Sequence, residues 1–373
     1  MATALPESTS IAREALQKYG GDSAARCYQC ATCSSVCELA PAGAPFPRKQ
    51  MALAQWGLTD RLVGDPSVWL CHQCNDCSAR CPRDAKPGDV MQTIRNMVVQ
   101  RLAVPSFMGR LVAEAGSSWI VLLGLPIAFW AVLLGWYNGL AVPEFEHLRD
   151  HGFETFVPHV LIYATYFTTT ALVLLFAGTA GLRFWKGLEG ADKRQGSFLS
   201  HLIPVLIEIM THKRFGDCEA TRPRKLAHLA LFWGFVGAAV TSGFIIVYMY
   251  IEGKPLPVPL THPYKILGNL SAVALVFGGA YLLYNRMTNE QAGKTTAFDN
   301  FFMGVVLLLI ATGCLIELGR FMFDPMLSCY LYIVHLGTVL CLFLTFPHSK
   351  FAHLIYRTLA MVHERMVGLR KAS

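Results

Sequence analysis

Six apolar stretches, each long enough to cross a lipid bilayer, dominate the last two thirds of this sequence. A helix needs about 20 consecutive apolar residues to span the hydrocarbon core, and most of these stretches contain no Asp, Glu, Lys or Arg. Buried helices of a soluble protein would instead carry polar faces. The pattern predicts membrane helices over Trp119 to Val142, Phe156 to Leu182, Leu226 to Ile251, Ile266 to Asn285, Phe301 to Met322 and Met326 to Pro347.

The charges lie mostly between and after these stretches. The formal net charge of +7 could indicate nucleic-acid binding, but Lys and Arg collect in residues 183–225 and in the C-terminal tail, whereas residues 143–155 are acidic. Short cytoplasmic loops are enriched in Lys and Arg. We therefore expect a multi-pass protein of the inner (cytoplasmic) membrane, in contact with lipid and not with nucleic acid, with both termini in the cytoplasm. Gly196 to His212 is predicted to form an amphipathic helix at the membrane surface.

Two cysteine runs in the first hundred residues share the spacing C-x2-C-x2-C-x3-C. In two-cluster ferredoxins this spacing binds iron–sulfur clusters, and the fourth cysteine of each run ligates the other cluster. Zinc favours two separated C-x2-C pairs, and here a third cysteine crowds each pair. The predicted ligands are Cys27, Cys30, Cys33 and Cys81 for one [4Fe-4S] cluster, and Cys71, Cys74, Cys77 and Cys37 for the second.

The segment that carries these cysteines has the composition of a small soluble domain. Helices are predicted at Thr9 to Tyr19, Arg48 to Trp56 and Asp89 to Val104, the last capped by Asp89. The sequence thus predicts an all-α protein, with a cytoplasmic α-helical ferredoxin-like domain over residues 1–105 and a transmembrane haem and quinone domain over 106–373. No apolar signal segment precedes the cysteines, so we expect them in a reducing compartment.

The remaining cysteines and one histidine carry no ligand pattern. Cys218, Cys314, Cys329 and Cys341 are expected to be small hydrophobic residues in packed helices,. His72, next to Cys71, is expected at the surface.

Histidines near the ends of the apolar stretches are candidate haem ligands, because ionisable residues in membrane spans are costly and often functional. His335 and His353 are five turns apart at about 3.6 residues per turn, a rise of about 27 Å if Pro347 leaves the helix unbroken. The predicted inner haem lies between His228 and His353, and the predicted outer haem lies between His335 and His159. His262 in place of His159, or the absence of a second haem, remain open alternatives.

A quinone site is expected near the outer haem, where Lys254, His262 and Lys265 lie. Glu317 and Arg320 share a helix face there, as an ion pair or as proton relays. No G-x-G-x-x-G fingerprint, P-loop or C-x-x-C-H motif occurs in the sequence. We therefore expect an electron-transfer subunit of an oxidoreductase that has no catalytic residues, flavin, nucleotide site or covalent haem of its own.

The first third, with its two cysteine runs and the stretch from Asp65 to Cys71, resembles the C subunits of heterodisulfide reductases. The remainder resembles the cytochrome b subunit of membrane nitrate reductase, whose haem-ligand positions match His228, His335 and His353. The second histidine of that family's third span falls at Ala238, which cannot bind iron, so His159 is considered instead.

The fused arrangement resembles the membrane subunits of quinone-interacting membrane-bound oxidoreductase complexes of sulfate-reducing bacteria. That resemblance implies one or two b haems, menaquinol as electron donor and two flavin-containing soluble partners similar to the A subunit of heterodisulfide reductase. It also implies electron delivery towards adenylylsulfate (APS) reductase. The alternatives are a heterodisulfide-reductase-type complex with another acceptor, or a membrane-tethered redox sensor.

Overall fold

The computed structural model describes residues 20–41, 43–218, 222–289 and 293–369, without the side chains of residues 222, 223 and 320. All regular secondary structure in these residues is helical, which confirms the predicted all-α class. The predicted helix over Thr9 to Tyr19 lies outside the described residues.

The cysteine domain is built around two helices, α1 (Arg48–Gln55) and α2 (Pro87–Leu102). The apolar residues that recur along α2 at helical spacing are buried, so this helix forms the centre of the domain. Asp89 does not cap α2, because Pro87, whose fixed φ suits the first turn, starts the helix two residues earlier,. The shorter helices of the domain are Thr32–Ser35, Thr59–Val63, Ser67–Leu70 and Asp76–Ala79.

Six helices in the rest of the chain are long and apolar enough to cross a membrane. Each overlaps one predicted stretch, with ends that differ by a few residues because helix caps, not apolar composition, set the boundaries. These helices are α3 (Ala115–Asn138), α4 (His159–Gly187), α6 (Arg222–Tyr250), α7 (Pro263–Thr288), α8 (Ala297–Met322) and α9 (Pro325–Thr345). Shorter helices are Ser106–Ala113, Phe145–His151, α5 (Phe198–Met210) and α10 (His353–Met366).

Helix α9 lies at the centre of this bundle. In the most apolar 18-residue stretch of α9, 50% of the residues are buried inside the protein, compared with 11–22% in the corresponding stretches of the other five helices. The other helices expose apolar side chains, as expected for residues that face lipid. Helix α5 also exposes apolar side chains on one face, namely Leu199, Ile203 and Ile207, in agreement with the predicted amphipathic helix.

The helical conformation is interrupted between His335 and His353. Helix α9 ends at Thr345, two 3₁₀ turns follow (Phe346–His348 and Lys350–Ala352), and α10 begins at His353. The unbroken helix considered from the sequence is therefore wrong, since Pro347 has no backbone N–H to continue it. As a result, His353 occupies the first turn of a new helix.

The cysteine domain packs directly on one end of the bundle. Trp69 contacts Phe184 of α4 and Tyr356 of α10, at ring-centroid distances of 6.4 and 4.9 Å, and Lys49 forms an ion pair with Glu189 at 2.6 Å. The basic connection from α4 to α6 therefore lies at the same end as the cysteines. We name this the cluster end of the bundle, and the opposite one the far end.

Candidate redox centres

The two cysteine runs fold into loops of the same backbone shape. Gln29 and Ala31 in the first run, and Gln73 and Asn75 in the second, have positive φ at corresponding positions, a conformation that residues other than glycine rarely adopt. In each loop the backbone N–H of the glutamine donates to the sulfur of the first cysteine at 3.4 Å. The repeated shape indicates that both runs hold the same kind of group.

The first group of thiols includes a cysteine from the second run. Burial raises the pKa of Cys33, and the nearby sulfurs of Cys27, Cys30 and Cys81 raise it further. Cys30 is exposed. This group therefore lies near the protein surface.

The second group includes the last cysteine of the first run. Burial raises the pKa of Cys37 to about 11, with a contribution from Cys71 and Cys74, and burial and the same two sulfurs raise the pKa of Cys77. Cysteines must lose their protons to bind a metal, so metal binding by these thiols would release protons. Both groups mix cysteines of the two runs, as crossed ligation requires, and the ligand sets themselves stay a prediction.

Cys218 lies next to the second group of thiols, in hydrogen-bond contact with Cys74. It follows a 3₁₀ turn instead of lying in a packed helix, and it is buried. A side-chain hydrogen bond with Cys74, together with burial, raises the pKa of Cys218, and the same bond lowers the pKa of Cys74. Cys218 is thus the donor to a predicted cluster ligand.

Three arginines from three helices hold the second cysteine loop. Arg95 of α2 and Arg357 of α10 donate to the carbonyl oxygen of Cys71 at 2.5 and 2.9 Å. Arg224 of α6 donates to the carbonyls of His72 and Gln73, both at 3.3 Å. The loop is therefore fixed against the cluster end of the bundle.

A cavity of about 960 Å³ adjoins this loop. His72 and Gln73 line it on one side, and His228 of α6 and His353 of α10 line it further in. The rings of His228 and His353 lie 6.3 Å apart, centroid to centroid. The structure thus brings the predicted inner pair together, at a separation with room for one metal atom between the rings.

Hydrogen bonds orient both imidazoles. His353 Nδ1 donates to the carbonyl of Lys350 at 2.5 Å, which leaves Nε2 available, and ligand histidines typically have such a partner. Burial lowers the pKa of His353 to about 4, so the ring is neutral, the form that binds metals. His228 Nδ1 shares a hydrogen bond with His212 Nε2 at 2.7 Å.

The lining of the cavity fits a porphyrin. Apolar side chains, most often phenylalanine and leucine, form most of its wall, with arginines at the side of the cysteine loop. The Nε atoms of Arg224 and Arg357 are buried without a hydrogen-bond partner. An apolar ring with carboxylate groups at one edge matches both features.

His72 is buried, which corrects the expectation that it lies at the surface. Its ring contacts Phe215, whose ring in turn contacts His228, at centroid distances of 4.9 and 5.1 Å. The arginines that contact residues 71–73 hold this loop against the cavity, so His72 faces the helical bundle.

The far-end pair, His335 and His159, is not brought together. His335 Nδ1 contacts Thr312 of α8 at 2.9 Å, whereas His159 contacts Glu154 at 3.5 Å. Tyr166 of α4 donates to the carbonyl of Leu336, so Tyr166 marks the depth of His335, and His159 lies about 10 Å away along the helix. An outer haem between these two histidines stays a prediction.

The residues of the predicted quinone site form two groups of contacts, because the hydroxyl of Tyr264 donates to Glu252 at 2.9 Å and so links Lys254 with His262. Lys265 pairs with Glu317 at 2.5 Å, Lys254 pairs with Glu252 at 2.8 Å, and His262 caps α7 by accepting from the backbone N–H of Tyr264. The side chain of Arg320 lies outside the described residues. The quinone site therefore also stays a prediction.

Sequence reasoning missed the residues that support the inner pair. Arg224 precedes His228 by four positions and Arg357 follows His353 by four, so each arginine shares a helix face with its histidine. This spacing was a signal that the sequence offered. Nothing in the sequence indicated His212, because only the turn after α5 brings it to α6.

The family model described as citrate utilization protein B matches residues 119–373. The chain belongs to the citrate utilization protein B family. Over 313 residues it is 28% identical to citrate utilization protein B of Escherichia coli, covering 79% of this chain and 80% of that relative. No solved structure matches the chain.

The cysteine domain has its own relatives. A 4Fe-4S dicluster domain model matches residues 23–85. The C subunit of the H₂:CoB-CoM heterodisulfide,ferredoxin reductase of Methanothermobacter thermautotrophicus is 40% identical over 86 residues, 22% of this chain and 45% of the relative. A protein of Archaeoglobus profundus that is similar to the C subunit of heterodisulfide reductase is 35% identical over 94 residues, 25% of this chain and 50% of the relative.

These matches identify the N-terminal part of this citrate utilization protein B family member as a heterodisulfide reductase C-like domain with [4Fe-4S] clusters. The chain is an iron–sulfur electron-transfer subunit of an oxidoreductase. Its match covers no more than about half the length of the heterodisulfide reductase relatives.

Proposed function

We propose that this protein is a membrane subunit that transfers electrons from a quinol, through b haem and two [4Fe-4S] clusters, to a soluble partner. The observation that carries the proposal is one cavity lined both by the predicted haem ligands and by the second cysteine loop. The facing rings of His228 and His353 line it together with His72 and Gln73 of the second cysteine loop.

The residues of the cavity perform distinct tasks in this scheme. A bound haem supplies one-electron chemistry, with His228 and His353 as its ligands. Lys350 and His212 hold those imidazoles in place, and the apolar wall excludes water. Because His72 and Gln73 belong to the second cysteine loop, the cavity adjoins that loop without an intervening helix.

The first cluster is the proposed exit for electrons. Cys30 is exposed and Tyr28 is 69% exposed, whereas the second group of cysteines lies against the bundle. A soluble partner can therefore approach the first cluster directly. The proposed partners are two flavin-containing subunits similar to the A subunit of heterodisulfide reductase.

The proposed donor is menaquinol, and the proposed final acceptor is APS reductase, as the resemblance to quinone-interacting complexes implies. A second candidate is electron transfer in citrate utilization, which the similarity over about four fifths of the chain to the Escherichia coli protein favours. Co-purification of flavoproteins with APS reductase supports the first candidate. Loss of growth on citrate when the gene is deleted supports the second.

The general proposal is tested by adding a water-soluble menaquinol analogue to the purified chain and recording optical and EPR spectra. We expect the bands of reduced b-type haem, and metal analysis should give about eight cluster irons per chain, as two [4Fe-4S] clusters require. Protein that contains zinc in place of iron, or that contains no porphyrin, would contradict the proposal. A redox sensor would need no quinol-reducible haem.

A further inference from the structure

The three arginines on the second cysteine loop have no carboxylate partner among the described residues. Arg95, Arg224 and Arg357 donate only to backbone carbonyls of the loop and of the helix before it. By contrast, Arg365, two turns further along α10, pairs with Glu208 at 3.0 Å. The second cysteine loop is therefore held by three positive charges that form no ion pair with a carboxylate of the described residues.

All three arginines also line the cavity, and two of them lie next to the predicted haem ligands. Arg224 and Arg357 line it, and each lies one helical turn from the histidine of its own helix, His228 or His353,. The buried, unpaired Nε atom of each is costly in an apolar wall,.

We infer that Arg224 and Arg357 form a cationic bridge between two redox centres. On the cavity side their guanidinium groups bind the carboxylates of the porphyrin, and on the loop side they hold the carbonyls of residues 71–73, which surround the second cluster. This inference rests on the proposed function, because it requires haem in the cavity.

The charge of each bridging arginine affects the reduction potentials of both centres. Each centre gains negative charge when it takes up an electron, so a nearby positive charge stabilises its reduced form. Removal of one guanidinium should therefore lower the midpoint potentials of the haem and of the second cluster in the same variant. A residue that only packs against the bundle would move neither potential.

The test is redox titration of purified Arg357→Gln protein, with optical detection of haem and EPR detection of the clusters. We expect both midpoint potentials to fall, while the potential of the first cluster stays near its original value. Arg365→Gln is the matched control, since it removes the same charge from the same helix outside the cavity. Unchanged potentials in Arg357→Gln, or equal shifts in the control, would overturn the inference.

Two further variants keep the test decisive if Arg357→Gln fails to fold. Arg224→Gln, on a different helix, should lower the midpoint potentials of the haem and of the second cluster in the same way. Arg357→Lys keeps the positive charge but lacks the planar guanidinium, so it should lower both potentials less than Arg357→Gln does. If neither variant shifts either potential, the inference is wrong. If the wild-type protein contains no haem, the proposed function itself is wrong.

The carboxylate contact has a separate readout. Haem-depleted wild-type protein should bind haem more tightly than haem dimethyl ester, which has no ionised carboxylates. This preference should shrink in Arg224→Gln and Arg357→Gln and persist in Arg365→Gln. Equal binding of the two compounds by wild-type protein would contradict the bridge.

Discussion

The two ends of the helical bundle hold their histidines in different ways. At the cluster end, His228 and His353 face each other across a large cavity, and each has a partner that fixes its ring. At the far end, His335 contacts Thr312 and His159 contacts Glu154, at different depths. The difference teaches that a histidine near a membrane surface becomes a ligand candidate only when a second helix offers an imidazole at the same level.

Replacement of the ligand histidines should give the largest contrast between the ends. His353→Ala removes one of the two facing imidazoles, so we expect complete loss of the cluster-end haem, measured as pyridine haemochrome per chain. His335→Ala should keep that haem. If His335→Ala loses it and His353→Ala retains it, the assignment of the ends is reversed.

A smaller effect is expected from His212→Ala. This change removes the hydrogen bond to His228 but leaves both ligands in place, and loss of such a supporting contact typically weakens metal binding by about 10–100-fold. Haem affinity is measured by titration of haem-depleted protein. His201→Ala on α5, outside the cavity, is the control, and equal affinities in both variants would show that His212 does not position the ligand.

The smallest effect should come from Thr312→Val at the far end. Thr312 donates to the carbonyl of Leu308, so its oxygen accepts from His335, and the change leaves a buried N–H without that partner. We expect a loss of about 1 kcal/mol in the free energy of unfolding, measured by denaturant titration, with an unchanged haem spectrum.

Thr338→Val provides the comparison for that experiment. Thr338 lies on the helix of His335, and its hydroxyl donates to the carbonyl of Val334. A spectral change in Thr312→Val, absent from Thr338→Val, would show that His335 binds a haem at the far end. The contrast between the two ends would then no longer hold.

Much of the fold could be predicted because it depends on local patterns. The six helices follow from uninterrupted apolar stretches, and the paired loops follow from cysteine spacing. The start of α2 and the break after Thr345 depend on Pro87 and Pro347. The pattern of apolar residues does not show which of several neighbouring caps or turns the chain adopts.

The candidate site could be predicted only in part. The pair His228 and His353 follows from depth, and the two arginines have a spacing that the sequence displays. The contact of Cys218 with Cys74 and that of His212 with His228 join residues from separate segments. No periodicity encodes such contacts, because they depend on how the turn after α5 packs against the cysteine domain.

By itself, the sequence determined the all-helical class, the six apolar helices and the eight cysteines of the two runs, since each follows from residue type and spacing along the chain. The tertiary structure decided which histidines face each other and that the second cysteine loop closes over their cavity. The physical reason is that helix spacing fixes depth and face, whereas the choice of partner depends on packing between helices distant in sequence.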